Sequence, residues 1–276
     1  MESRRHAGIP AVYDVVRCAP DDYPGRCLEA VEHEHFFEVF AEGGFIARTR
    51  CTASYLDDLA VGRLLALGII SSALDVAGVV VAADGLRADV HLTPAARQVL
   101  AVRRAQGALS TELSGLHPVK PMPWSLLDVF ALAAEFECDR TSHRVTRGAH
   151  SAYVCQGARV LLVREDIGRH NAVDKVLGAA LREGIDLARC AVFSSGRAPE
   201  DMVAKAVRAG VPLFVTKAAP TAEGIELARA CDLTLVCKVT STSAVIVSDP
   251  MGVATGIAER QSAGARNERF GMALMA

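Results

Sequence analysis

No two cysteines in this chain are spaced as Cys-x-x-Cys, and no Pro-Cys-x-x-Cys occurs. The eight cysteines, at 18, 27, 51, 138, 155, 190, 231 and 237, thus offer neither a paired metal-ligand spacing nor a dithiol motif. A zinc deaminase, which needs His or Cys with Pro-Cys-x-x-Cys and a nearby Glu, is disfavoured on that ground. Several cysteines sit inside apolar runs and read as reduced core residues. Long apolar runs are also missing, since none reaches the roughly 18 residues of a bilayer-spanning helix. The start, Met1-Glu2-Ser3-Arg4-Arg5-His6, is not followed by a signal-peptide core, so a soluble cytoplasmic protein with no membrane partner is expected. A dominant charge of one sign is absent as well. Thirty Lys and Arg face 32 Asp and Glu, for a formal charge of −2 and a pI near 6.5. The charges are scattered, and no general grip on nucleic acid follows.

What is present is largely apolar: 51% of residues are hydrophobic and mean hydropathy is +0.24. The chain can bury a sizeable core, as one large domain or as one domain with a small extension. Pro20, Asp21, Asp22, Pro24 and Gly25 mark turns, and residues 1–27 are expected to be an irregular lead-in. Residues 28–106 read as a smaller α+β part. It holds a hairpin of Phe36 to Phe40 with Phe45 to Thr49, a helix opened near Ser54 and stopped by Gly68, a hairpin from Val76 to Leu92, and a helix from Pro94. Gly107, Gly115, Pro118, Pro121 and Pro123 make 107–123 a loop. Residues 124–248 read as an α/β core: a helix from Trp124, a hairpin about Gln156-Gly157, then strands from Cys190, Pro212 and Leu233 alternating with helices from Pro199 and Pro220. Ala244 to Val247 is a last strand. Such alternation predicts a largely parallel sheet. The tail, 249–276, is weakly patterned.

The chain is organised around Glu165-Asp166-Ile167-Gly168-Arg169-His170-Asn171-Ala172-Val173-Asp174-Lys175, which carries six ionisable side chains in eleven residues. An apolar run, Val160 to Val163, precedes it. Val173, Val176, Leu177, Ala180 and Leu181 follow it with the period of one buried helical face. The local prediction is strand, polar loop and helix, with Asn171 as N-cap, Asp174 at the third helical position and Gly184 as terminator. Arg169 and His170 then stand beside a helix N-terminus, where an anion is favoured. The plainer alternative is a solvated turn between two core elements.

These eleven residues resemble the signature of the formate dehydrogenase accessory sulfurtransferase family, FdhD. Further pieces resemble it in the same order: Leu59-Ala60-Val61-Gly62 with Gly68-Ile69-Ile70, Gly148-Ala149-His150-Ser151-Ala152, Ser194-Ser195-Gly196-Arg197, Met202-Val203-Ala204-Lys205-Ala206, Ala209-Gly210-Val211-Pro212 and Ala219-Pro220-Thr221. The resemblance implies a cytidine-deaminase-like three-layer α/β sandwich behind the smaller α+β part, and a homodimer. It implies a sulfur carrier that takes a persulfide from a cysteine desulfurase. The sulfur goes to the molybdenum or tungsten bis-molybdopterin guanine dinucleotide cofactor, held as cargo for an apo-formate dehydrogenase or related molybdoenzyme.

The family supplies the thiol from a Cys-x-x-Cys loop. The matching stretch here, Ser110 to Pro118 before Pro121-Met122-Pro123, contains no cysteine, and serine forms no persulfide. Whether this chain transfers sulfur at all is left open. Loss of transfer with retained binding is the favoured reading, and Cys51, just ahead of a predicted helix, is the best substitute thiol if one exists. A non-catalytic chaperone or scaffold for a molybdoenzyme is the alternative, and a hydrolase or deaminase using Glu165, Asp166 and His170 is a third. For binding, Ser194, Ser195, Gly196 and Arg197 between a strand and a helix suit phosphate, with Glu200 orienting Arg197. Arg169, His170, Asn171 and His150 complete the candidate site, the two histidines forming a polar cluster with Glu165 and Asp166. Lys205 is expected to face solvent. The family's cofactor contacts after the last parallel strand correspond to Lys238, Val239, Thr240, Ser241, Thr242 and Ser243, which lack the usual arginine. Arg147 replaces a usual glycine, and Leu67 a usual glutamate.

Overall fold

The structure, a computed structural model, describes residues 10–107, 113, 115–138 and 146–254. Within them the chain is mixed α/β with three sheets. Strands β1 (Ala11–Ala19) and β2 (Asp22–Val31) form an antiparallel ribbon. Strands β3 (His35–Ala41), β4 (Gly44–Cys51), β5 (Val76–Val81) and β6 (Arg87–Leu92) form a four-stranded sheet in the order β4-β3-β6-β5. The third sheet has six strands: β7 (His150–Gln156), β8 (Arg159–Asp166), β9 (Ala191–Ser194), β10 (Leu213–Thr216), β11 (Thr234–Cys237) and β12 (Val245–Ser248), ordered β12-β11-β10-β9-β7-β8.

Among the described residues six α-helices connect and cover the sheets: α1 (Leu56–Ala66), α2 (Pro94–Ala105), α3 (Leu126–Cys138), α4 (Arg169–Arg182), α5 (Glu200–Arg208) and α6 (Ala222–Ala230). Alternation along the large sheet separates its two faces. Tyr153, Cys155, Phe193, Val215 and Val236 point to α3, where Phe136 lies 5.4 Å and 5.2 Å, centroid to centroid, from Tyr153 and Phe193. Ala152, Val154, Val192, Phe214 and Leu235 point the other way, into a core shared with α4, α5 and α6. That core runs on through α1 to Phe37, Val39, Val90 and Leu92 of the small sheet, so one apolar interior joins the two parts.

Helices α1 and α4 touch backbone to backbone because each contributes a glycine to the crossing. A Cβ on Gly62 would lie 1.8 Å from the Asp174 carbonyl oxygen, and one on Gly178 2.0 Å from that of Asp58. This close approach brings the first turn of α4 up against β4 and α1.

Three expectations are corrected. The lead-in is not irregular from residue 11 on: Pro20 and Asp21 do turn the chain, but between paired strands. The large sheet is less parallel than predicted. Only β9-β10 and β10-β11 are parallel, while β7, β8 and β12 pair antiparallel. Asn171 is not an N-cap. Gly168 holds that position, extended at φ −104°, and Asn171 lies inside the first turn. Residues 1–9, 108–112, 114, 139–145 and 255–276 lie outside the described residues.

Candidate functional site

The sharp turn between β8 and α4 is built on two buried side chains. Asp166 is fully buried, and its carboxylate accepts from Gly168 N at 2.8 Å, Asn171 Nδ2 at 3.0 Å and Thr52 N at 3.1 Å. Lys175, in the second turn of the helix and equally buried, places Nζ 2.6 Å from Asp166 Oδ2 and donates to the carbonyls of Thr52 at 3.0 Å and Glu165 at 3.2 Å. An ammonium has three protons, and here all three are used. A buried charge is tolerated only with this degree of pairing.

Asn171, 3% exposed, is satisfied on both sides of its amide. Nδ2 donates to Asp166 and to the Arg50 carbonyl at 2.8 Å, while Oδ1 accepts from Arg63 at 3.0 Å with the Thr49 hydroxyl at 3.2 Å. It therefore stitches α4 to β4 and to α1. A second buried pair lies beneath: Asp174 contacts Lys205 at 2.6 Å and Arg63 at 3.0 Å. Lys205, only 1% exposed, does not face solvent as expected. Burial pulls its ammonium down to about 8 against the opposing pull of Asp174. Its position was readable, because Met202, Val203 and Ala206 flank it on the buried face of α5.

Above this floor opens a cavity of about 420 Å³ with Arg48, Arg50, Arg63, His150, Arg169 and His170 among its lining residues. The backbone N–H groups of the first turn of α4 have no intrahelical partners and add positive potential there. Arg169 packs on Gly196, where a Cβ would come within 2.6 Å of its own Cβ, and its Nε is buried without a hydrogen-bond partner among the described residues. His170 Nε2 lies 3.0 Å from Asp201 Oδ2, off the line of an ideal hydrogen bond. The imidazole beside it holds the Asp201 carboxyl below its ordinary range. The arrangement suits an anion.

The expected cluster of two histidines with Glu165 and Asp166 divides instead. His150 Nδ1 lies 3.0 Å from the Ser195 hydroxyl, and Glu165 receives a hydrogen bond from Ser151 at 3.2 Å. Asp166 turns inward. Ser194 is buried, with its hydroxyl accepting from Gly196 N at 3.1 Å, so it shapes the turn. Arg197 is exposed, and no hydrogen bond or ion pair joins it to Glu200 among the described residues.

The segment from Lys238 to Ser243 lies at the same end of the sheet, since Val239 N donates to Thr216 O and the Thr216 hydroxyl to Gly196 O. It does not line the cavity. Lys238 is exposed, Val239 belongs to the apolar core, and the Thr240 hydroxyl folds back on Thr242 and Ser243. The Lys217 ammonium and the Ser241 hydroxyl hold Glu137 below its ordinary range. Cys51, the substitute thiol, is fully buried, and burial pushes it up to about 12, so it is no accessible thiolate. Cys155, Cys190, Cys231 and Cys237 are also buried, while Cys18 and Cys138 are exposed and Cys27 is half-buried.

Sequence reading missed Arg48, Arg50 and Arg63. The signal was an Arg-x-Arg alternation on β4, which puts both guanidinium groups on one face of an edge strand.

Residues 32–254 match the family model described as FdhD/NarQ family. A sulfur carrier protein FdhD from Bordetella bronchiseptica is 36% identical over 221 residues, covering 74% of this chain and 79% of that protein. One from Methanothermobacter thermautotrophicus is 28% identical, covering 78% and 88%. Among solved structures, one described as a formate dehydrogenase accessory protein from Desulfotalea psychrophila matches with a TM-score of 0.75 over 88% of this chain and 98% of that one. At 23% identity it speaks for the fold alone. The family match spans the cavity, the buried pairs beneath it and both apolar cores, and the chain belongs to the FdhD/NarQ family.

Proposed function

We propose that this protein is an accessory factor of a formate dehydrogenase or related molybdoenzyme. It holds the anionic nucleotide end of the molybdenum bis-molybdopterin guanine dinucleotide cofactor and delivers it as cargo. The observation that carries this reading is the cavity at the α4 N-terminus, where Arg169 presents a guanidinium with an unpartnered, buried Nε. Its volume, about 420 Å³, takes a nucleotide fragment rather than a whole dinucleotide cofactor with two pterins.

The chain's own residues supply binding and orientation. Arg169 and the first-turn N–H groups neutralise phosphate, and His150, fixed by Ser195, offers a further donor. Ser194, Ser195 and Gly196 shape the adjoining turn, and Lys238 to Ser243 border the same end of the sheet. When bound, the cofactor supplies the redox chemistry of the client enzyme, none of which falls to this chain.

Delivery without sulfur transfer is favoured by two facts. The 107–123 loop has no cysteine, and five of the eight thiols are buried. A cysteine desulfurase would find no loop thiol to load. The protein acts in the cytoplasm as a homodimer. Calorimetric titration with GDP tests the reading: micromolar binding that Arg169→Ala weakens by about tenfold or more supports it, and no heat with the folded wild type at millimolar GDP overturns it.

A further inference from the structure

The cavity has a second wall that none of the sequence motifs contains, and its charge balance is informative. Five Arg and Lys residues are among its lining: Arg48, Arg50, Arg63, Arg169 and Lys205. Three are met by carboxylates. Arg48 places Nε and Nη2 on Glu38 at 2.9 Å and 2.7 Å, and Arg63 and Lys205 share Asp174. The one acid in the lining, Asp201, faces His170. Arg50 and Arg169 remain without an ion-pair partner among the described residues. They stand on opposite elements, Arg50 on edge strand β4 and Arg169 in the first turn of α4.

Arg50 is nevertheless held in place. Its guanidinium lies 5.4 Å from the ring centroid of Phe36, directly across the strand pair, and Arg48 shares the same ring at 5.3 Å. A guanidinium over an aromatic face keeps its in-plane N–H donors free. The backbone of Arg50 is fixed as well, because its carbonyl accepts the 2.8 Å hydrogen bond from Asn171 in the helix that carries Arg169. One buried amide thus sets the spacing between the two unpaired cations.

Building on the nucleotide reading above, we infer that Arg50 and Arg169 form a two-point grip for a diphosphate, one guanidinium to each phosphate. The residue that distinguishes a diphosphate from a monophosphate is Arg50. The small sheet is then part of the site, and a ligand seated there bridges the two parts of the chain.

The test is titration of the full chain with GMP, GDP and inorganic pyrophosphate, comparing wild type with Arg50→Ala. Arg50 is exposed, so the variant is expected to keep its unfolding temperature within a few degrees, and a thermal melt checks this. Loss of one charge-assisted contact is expected to weaken GDP and pyrophosphate by about tenfold or more while GMP changes by less than about threefold. An unchanged ratio of GDP to GMP affinity overturns the inference and leaves the nucleotide reading intact. Equal weakening of all three ligands also overturns it, since Arg50 would then contribute only a general field. Failure of the wild type to bind any of the three overturns both together.

Discussion

Replacing Lys175 by methionine tests the buried scaffold under the cavity. The substitution keeps most of the volume and removes one charge. It leaves the Asp166 carboxylate, fully buried, with hydrogen bonds but no counter-charge, and strands the carbonyls of Thr52 and Glu165. Breaking a buried pair by removing one partner costs about 3–5 kcal/mol. At about 2–4 °C per kcal/mol for a chain of this size, the expected fall in Tm is roughly 6–20 °C. Removing both charges, as Asp166→Asn with Lys175→Met, is expected to recover part of the loss, because the uncompensated charge is gone. The assay is thermal unfolding followed by circular dichroism, with urea titration as a second measure. A fall of less than about 2 °C for the single variant, against the cost expected for a buried pair, refutes the reasoning. A double variant no more stable than the single one refutes it too.

Gly62→Ala is expected to destabilise by more than about 2 kcal/mol despite alanine's better helix propensity, since its Cβ would meet the Asp174 carbonyl at 1.8 Å. Gly178→Ala behaves alike, and denaturant midpoints of both read the effect. Native-state alkylation followed by intact mass is expected to modify Cys18 and Cys138 rapidly and Cys27 more slowly. Cys51 and Cys237, each pushed up to about 12 by burial, stay unmodified until the chain unfolds. The Asp201 carboxyl, lowered by His170, contributes stability above the ordinary carboxylate pKa of about 3.9 and loses it as pH falls through its depressed value. The stability gap between wild type and Asp201→Asn, measured by melts across acid pH, is therefore expected to close at the acid end. A gap independent of pH contradicts the pairing.

Most elements were legible because apolar periodicity records which face is buried. Val173, Val176, Leu177 and Ala180 announced α4, and all four are buried. The helix stops were equally plain, with Gly68 and Gly184 at positive φ. The ribbon at 11–31 was not legible. Its side chains are mostly exposed, so burial imposes no alternation, and its prolines and glycine read as loop. Asn171 and Lys205 were misjudged for a shared reason. Asn is favoured at caps and Lys at surfaces, whereas here tertiary partners, β4 for one and Asp174 for the other, pay for their burial. The largely parallel sheet was over-called because strand-helix alternation holds only for β9 to β11, while hairpin partners and a returning last strand add antiparallel edges. Arg50 was overlooked because its Arg-x-Arg alternation gains meaning only when β4 lies against the turn before α4.

On the proposed function, this chain serves a formate dehydrogenase through its anion cavity and not through a loop thiol. The most direct measurement is formate dehydrogenase activity in a host lacking its own accessory protein, with this chain supplied alongside the client enzyme. The wild type is expected to restore activity. So is a variant with Cys18, Cys27 and Cys138 all changed to serine, whereas Arg169→Ala, present at equal level, is expected not to restore it. Full restoration by Arg169→Ala, or loss of activity in the triple-serine variant, would contradict the claim.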